Sequence, residues 1–128
     1  MNSYTIKNLK HVEDVAPKFG YAPDFEARFA RHDLEMQRTG ISFQHLAPNT
    51  EGPFGHKHGQ DEEVYVIVSG GGRVKLDGEV IEVGPWDAVR VAPATVRAFA
   101  AGPGGLDLLA FGTHTDDDAL IQQVNWSE

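Results

Sequence analysis

The chain has 128 residues, enough for one domain whose core needs no cross-links. It contains no cysteine, which excludes disulfides, zinc–thiolate sites, iron–sulfur clusters and a cysteine nucleophile. A formal net charge of −8 argues against a general nucleic-acid binder, and no apolar run resembles a signal peptide or a membrane span, so a soluble cytoplasmic protein is expected.

Fourteen glycines and seven prolines among short valine-rich runs predict an all-β domain with tight turns. Residues 1–23 scatter apolar side chains (Tyr4, Ile6, Leu9, Val12, Val15, Phe19) without a clean period. They are read as an arm over the domain or over a partner subunit. Phe25, Ala27 and Phe29 then alternate with Glu26, Arg28 and Ala30, which favours a strand, with a helical turn over residues 33–37. Residues 41–47 read as a strand with Ile41, Phe43 and His45 on one face. A loop follows over residues 48–53. In the extended stretch after it, His56 and His58 point the same way and Lys57 the other.

Residues 63–68 form a strong strand, apolar on both faces apart from Glu63 and Tyr65. Ser69-Gly70-Gly71-Gly72 reads as a turn, and Asp77-Gly78 as the hairpin turn between residues 73–76 and 79–83. Further strands are expected over 88–91, 96–100 and 106–111, the last two separated by Gly102-Pro103-Gly104-Gly105. Thr115-Asp116-Asp117-Asp118 has a good N-cap residue and acids on a first turn, so residues 119–124 read as a short helix, with Trp126 tucked against the barrel. Eight or nine short strands with mostly tight connections imply a closed or two-sheet fold. The chemistry concentrates in residues 55–70. Two imidazoles and a carboxylate, converging from neighbouring strands, would make a donor set for a divalent metal.

At this point the sequence resembles the cupin superfamily, small β-barrels built as a double-stranded β-helix, or jelly roll. The family's first motif is HxH, a glutamate after four residues and a glycine after six more; His56, His58, Glu63 and Gly70 match it position for position. The second motif, ending in histidine, aligns with residues 86–97 but is degenerate: Trp86, Ala92, Ala94 and Arg97 stand at its glycine, proline, glycine and histidine. The resemblance covers residues 41–112. It implies a single domain of residues 1–128, with an arm (1–23), a barrel core (41–112) and a C-terminal helix and tail (115–126). Carried over residue by residue, it makes His56, His58 and Glu63 metal ligands, for which zinc, iron, nickel or manganese would serve. It also implies a small-molecule ligand and a homodimer whose partner covers exposed edges or apolar faces.

Arg97 departs from that pattern. Arginine stays protonated and offers no lone pair, so it cannot ligate a metal. A unit charge about 5 Å from a divalent ion costs roughly 6–7 kcal/mol at an effective dielectric of about 20, so it must be neutralised or turned away if metal binds. Three readings stand open. A His56–His58–Glu63 triad holds metal, with Arg97 binding an acidic substrate for oxygenation, isomerisation or decarboxylation. Or no metal binds, Arg97 pairs with Glu63, and the pocket takes a small anion. Or these groups form a self-satisfied buried network.

Other residues are assigned by parity and position. Tyr65 shares the face of Glu63 and is expected in the cavity, as a ligand contact or a packed tyrosine. Phe43 and Phe99 are expected to supply its apolar wall. His45, on the face of Phe43, and Gln60, in the loop after the histidines, are further candidate ligand-binding residues. His114 is placed near the mouth, His11 and His32 outside, and Trp86 in packing. Asp87 and Arg90 are each read as belonging to a structural ion pair elsewhere. No nucleophile elbow, phosphate-binding loop or dinucleotide fingerprint occurs.

Overall fold

The structure, a computed structural model, describes residues 3–127. Among them are two short 3-10 helices (Leu9–His11 and Ala16–Phe19) and eight strands: β1 (Phe25–Phe29), β2 (Thr39–Leu46), β3 (Gly55–His58), β4 (Glu63–Leu76), β5 (Glu79–Val83), β6 (Ala88–Val91), β7 (Arg97–Thr113) and β8 (Ala119–Gln122). All the pairings between these strands are antiparallel. None of the described helices is long and apolar enough to cross a membrane.

The long strands β4 and β7 run against each other, from Glu63 opposite Gly112 to Leu76 opposite Arg97. β2 and then β1 extend the sheet from the second half of β7, β3 and then β8 from its start, and β5 and β6 flank β4. Two glycine runs expected as turns lie inside these strands. Gly70–Gly72 interrupts the β4–β7 register, and Gly102–Gly105 stays within β7. Glycine in a strand marks a bulge or sharp bend, and here the bends let one strand serve both halves of the curled sheet. Gly72 is essential to this approach: a Cβ there would stand 1.9 Å from the Ala100 carbonyl oxygen.

The core lies inside the curl, with Leu46, Tyr65, Ile67, Val74, Leu106 and Leu108 almost fully buried. Tyr65 and Ile67 alternate inward with Glu63, as the period-2 pattern requires. The arm covers one end: Val12 and Ala16 are buried, and Asp14 bridges to Arg28.

Three local expectations are corrected. The segment after Asp118 is strand β8, not a helix. Asp117 has φ 56°, which breaks a helical run, and β8 pairs with β3 from Gly55–Gln122 to His58–Ala119, so hydrogen bonds to an open sheet edge outweigh the local N-cap signal. Trp86 does not pack; it is 76 % exposed at the tip of a turn with φ 70°. On β2 the inward face is Ser42, Gln44 and Leu46, so Phe43 lies outside, under the Lys10 ammonium. Trp126 lies partly buried beside the Arg73 guanidinium.

Candidate functional site

The polar end of the barrel is assembled by strand register. His56 on β3 lies opposite Arg97 on β7, and Glu63 opens β4. Alternation on β3 sends both histidine rings inward, with centroids 5.1 Å apart at 81°. His56 Nε2 and His58 Nε2 lie 3.3 and 3.2 Å from the same oxygen, Glu63 Oε1. Donor atoms of the three residues fall within 4.8 Å of one another, close enough to share one ion. Tyr65 points into the cavity as its parity requires. Its hydroxyl donates to Glu63 Oε1 at 2.6 Å and lies 3.3 Å from His56 Nε2.

Arg97 is 1 % exposed, and its guanidinium reaches this cluster. Nη2 donates to the Ala92 carbonyl at 2.9 Å, and Nη1 stands 3.7 Å from Glu63 Oε1. Burial pushes the Glu63 carboxyl up. Hydrogen bonds from His56 and Tyr65, and the charges of His56 and His58, overcome it and bring the pKa down to about 2. Tyr65 moves the other way. Burial, then the Glu63 charge and hydrogen bond, push its hydroxyl well above the usual phenol range, so it remains a proton donor.

A group not anticipated from the sequence orients His58. Asp118, just before β8, lies 3.2 Å from His58 Nδ1 and accepts the backbone N–H groups of Gln60 and Asp61. Burial would raise its carboxyl, but those backbone N–H groups and the His58 ring hold it below the usual range. An ionised carboxylate only accepts, so the proton of His58 belongs on Nδ1 and Nε2 faces the cavity. Asp61 is buried behind it and accepts from the Thr113 hydroxyl and from the hydroxyl and N–H of Thr115. The acidic run of residues 116–118 was the available signal; the missing fact was the long-range pairing that carries it to the histidines.

The remaining expected site residues lie elsewhere. His45 turns outward and pairs with Asp107 on the neighbouring strand, because the inward face of β2 has the opposite parity. Gln60 is exposed and touches Asp118 through its main chain. His114 is exposed and pairs with Asp116, while His11 and His32 are also exposed. Asp87 accepts from the Gly84 N–H, and Arg90 pairs with Glu62 on the surface.

The donor set fits a divalent cation. Among the described residues, His58 Nε2 is buried and makes no hydrogen bond, its near neighbour being the Glu63 oxygen at 3.2 Å, while its other nitrogen is held by Asp118. Arg97 Nε and Nη1 are also buried without a hydrogen-bond partner. With its proton on Nδ1, His58 would turn a lone pair at Nε2 toward a cation, while the Arg97 N–H groups suit an anion.

Comparison with known proteins agrees with the topology. The family described as Cupin domain matches residues 42–110. No curated protein matches the chain. A cupin protein from Bacteroides fragilis is similar at 26% identity and TM-score 0.72, over 91% of this chain and 89% of its own. The polyketide cyclase RemF from Streptomyces resistomycificus has 20% identity and TM-score 0.74, over 97% and 87%. Salicylate 1,2-dioxygenase from Pseudoaminobacter salicylatoxidans, in a structure of its adducts with gentisate, has 20% identity and TM-score 0.64, over 77% of this chain and 28% of that one. With a family match over more than half its length and a curled antiparallel barrel, the chain belongs to the cupin superfamily.

Proposed function

We propose that the protein is a metal-dependent cupin enzyme, of the oxygenase or isomerase type, acting on a small acidic molecule. His56, His58 and Glu63 hold the cation, and Arg97 receives the anionic group of the substrate. One observation carries this reading: His56, His58 and Glu63 bring donor atoms within 4.8 Å of one another beside buried Arg97 N–H groups that have no hydrogen-bond partner. A divalent cation together with an anion satisfies both. Either alone leaves one need unmet.

When bound, such a cation supplies Lewis acidity and, for a redox metal, a site for oxygen chemistry. The chain's own groups have separate tasks. Arg97 orients the acid with a charge that never titrates away. Asp118 fixes the His58 tautomer. Tyr65 keeps its proton against Glu63 and limits that carboxylate's freedom to rotate. The apolar cavity wall excludes water, which strengthens each of these electrostatic interactions.

The second reading is a metal-free anion-binding protein, favoured by the 3.7 Å approach of Arg97 to Glu63, which already neutralises the carboxylate. Elemental analysis of protein purified without chelators separates the two. Stoichiometric metal, lost in His56→Ala, is expected. If metal is absent and added iron, manganese, nickel or zinc leaves the melting temperature unchanged, the metal reading fails. Small organic acids that stabilise wild type but not Arg97→Ala would then support the second. A homodimer belongs to the same proposal, supported by the exposure of Tyr4 and Ile6. Light scattering showing a monomer at micromolar concentration would exclude it.

A further inference from the structure

The cavity leading to the histidines has a volume of about 530 Å³, within the range of sites that enclose drug-sized ligands. Aromatic side chains from separate segments form its walls: Phe19 and Tyr21 from the arm, Phe25 from β1 and Phe54 from the loop before β3. Tyr21 stands at their centre, its ring centroid 5.7 Å from Phe54, 6.4 Å from Phe25 and 6.5 Å from Phe19. Near the polar end Tyr65 and Phe99 make a second pair at 4.9 Å. The entrance is apolar too, since Phe19, Phe29 and Ile121 line the cavity and are exposed.

Apart from tyrosine hydroxyls, polar side chains line this space in two places. One is the cluster at Arg97. The other is the Ser42–Gln44 pair on β2, where Gln44 Nε2 donates to Ser42 Oγ at 3.2 Å. A polyhydroxylated ligand filling the cavity would leave most of its hydroxyl groups against aromatic rings and lose their hydration without replacement. A flat apolar body meets the opposite circumstance, because ring faces and edges surround it.

We propose that the cavity binds a planar aromatic acid of two or more fused rings, with its carboxylate at Arg97 and its rings between the aromatic walls. The carboxylate's position rests on the role given to Arg97 above; the position of the rings does not. Ser42 and Gln44 then face the ring body, where they would meet a phenolic or carbonyl oxygen.

The test is calorimetric titration of the full-length protein with three monocarboxylates, 2-naphthoate, benzoate and gluconate. It is run on metal-loaded and on chelator-stripped protein. The second ring should make 2-naphthoate bind about tenfold more tightly than benzoate, from the extra apolar area buried, and gluconate should bind more weakly than either. Tyr21→Ala should bring 2-naphthoate down to the benzoate level. Phe19→Ser, an exposed position at the mouth, should weaken 2-naphthoate more than benzoate and serves where the first variant is unstable. Gluconate binding as tightly as 2-naphthoate, no effect of ring number, or no binding by any of the three would overturn the inference. The predicted ranking in protein that takes up no metal supports the inference while the metal reading falls. Metal uptake with a reversed ranking defeats the inference alone.

Discussion

Glu63→Gln tests the electrostatics of the site most directly, because His56, His58, Tyr65 and Arg97 all converge on one oxygen of that carboxylate. Burial opposes its charge, but the hydrogen bonds from His56 and Tyr65 and the two imidazole charges bring its pKa from 4.5 to about 2. A depression of that size corresponds to stability on the order of 3 kcal/mol. Because the folded-state pKa is the lower one, this stability is fully present above the unfolded value of 4.5. It is lost as pH falls through about 2. Urea unfolding of chelator-stripped wild type and Glu63→Gln, from neutral pH down to about 2, isolates this group from every other carboxylate. The variant should be less stable by on the order of 3 kcal/mol at neutral pH, and the two stability curves should converge through the acid window. A difference that stays constant across that window would refute the reasoning, since it would locate the effect in packing rather than charge.

Two further perturbations probe the frame. Asp118→Ala removes the acceptor of His58 Nδ1 and of two backbone N–H groups, and should weaken metal binding about 10–100-fold while the circular dichroism of the strands persists. Unchanged affinity in titrations with Mn²⁺ would show that His58 needs no such support. Gly72→Ala drives a Cβ to 1.9 Å from the Ala100 carbonyl oxygen, where neither backbone can yield. A loss of at least about 1–3 kcal/mol by denaturant unfolding is expected, and a neutral substitution would contradict the close approach of β4 and β7.

The barrel and the placement of four of its polar residues were legible in the sequence because both follow from local rules. The period-2 alternation on β4 placed Glu63 and Tyr65 together, and the spacing of His56 and His58 placed both rings on one side. Parity without an anchor failed on β2. Nothing local says which face of residues 39–46 meets the core, and choosing His45 reversed the strand, moving Ser42 and Gln44 out of the cavity lining. Long-range pairing was invisible in the same way. Residues 115–118 satisfy the local rules of a helix start, yet β3 needs a neighbour, and the strand that supplies it delivers Asp118 to His58. The glycine runs carried the correct message of a backbone that must bend; only the partner strand shows that the chain bends without turning back.

Charge balance at the polar end links its two occupants. Glu63 offsets Arg97 and Asp118 adds a further negative charge beside His58, so the fixed charges of the protein alone offer no net positive charge to draw an anion in. A divalent cation on His56, His58 and Glu63 would change that sum by two and draw the Glu63 charge away from Arg97. The guanidinium would then be free to engage a carboxylate. Metal should therefore tighten binding of an acid, and by reciprocity the acid should tighten binding of metal by the same factor. Arg97→Gln separates the terms. It should strengthen Mn²⁺ binding in the absence of acid, because a like charge is gone, and weaken the coupling when benzoate is present. If Arg97 serves only to neutralise Glu63 and never engages the acid, benzoate affinity will be the same with and without metal. A coupling factor measured from both directions thus decides what the arginine at the histidine position is for.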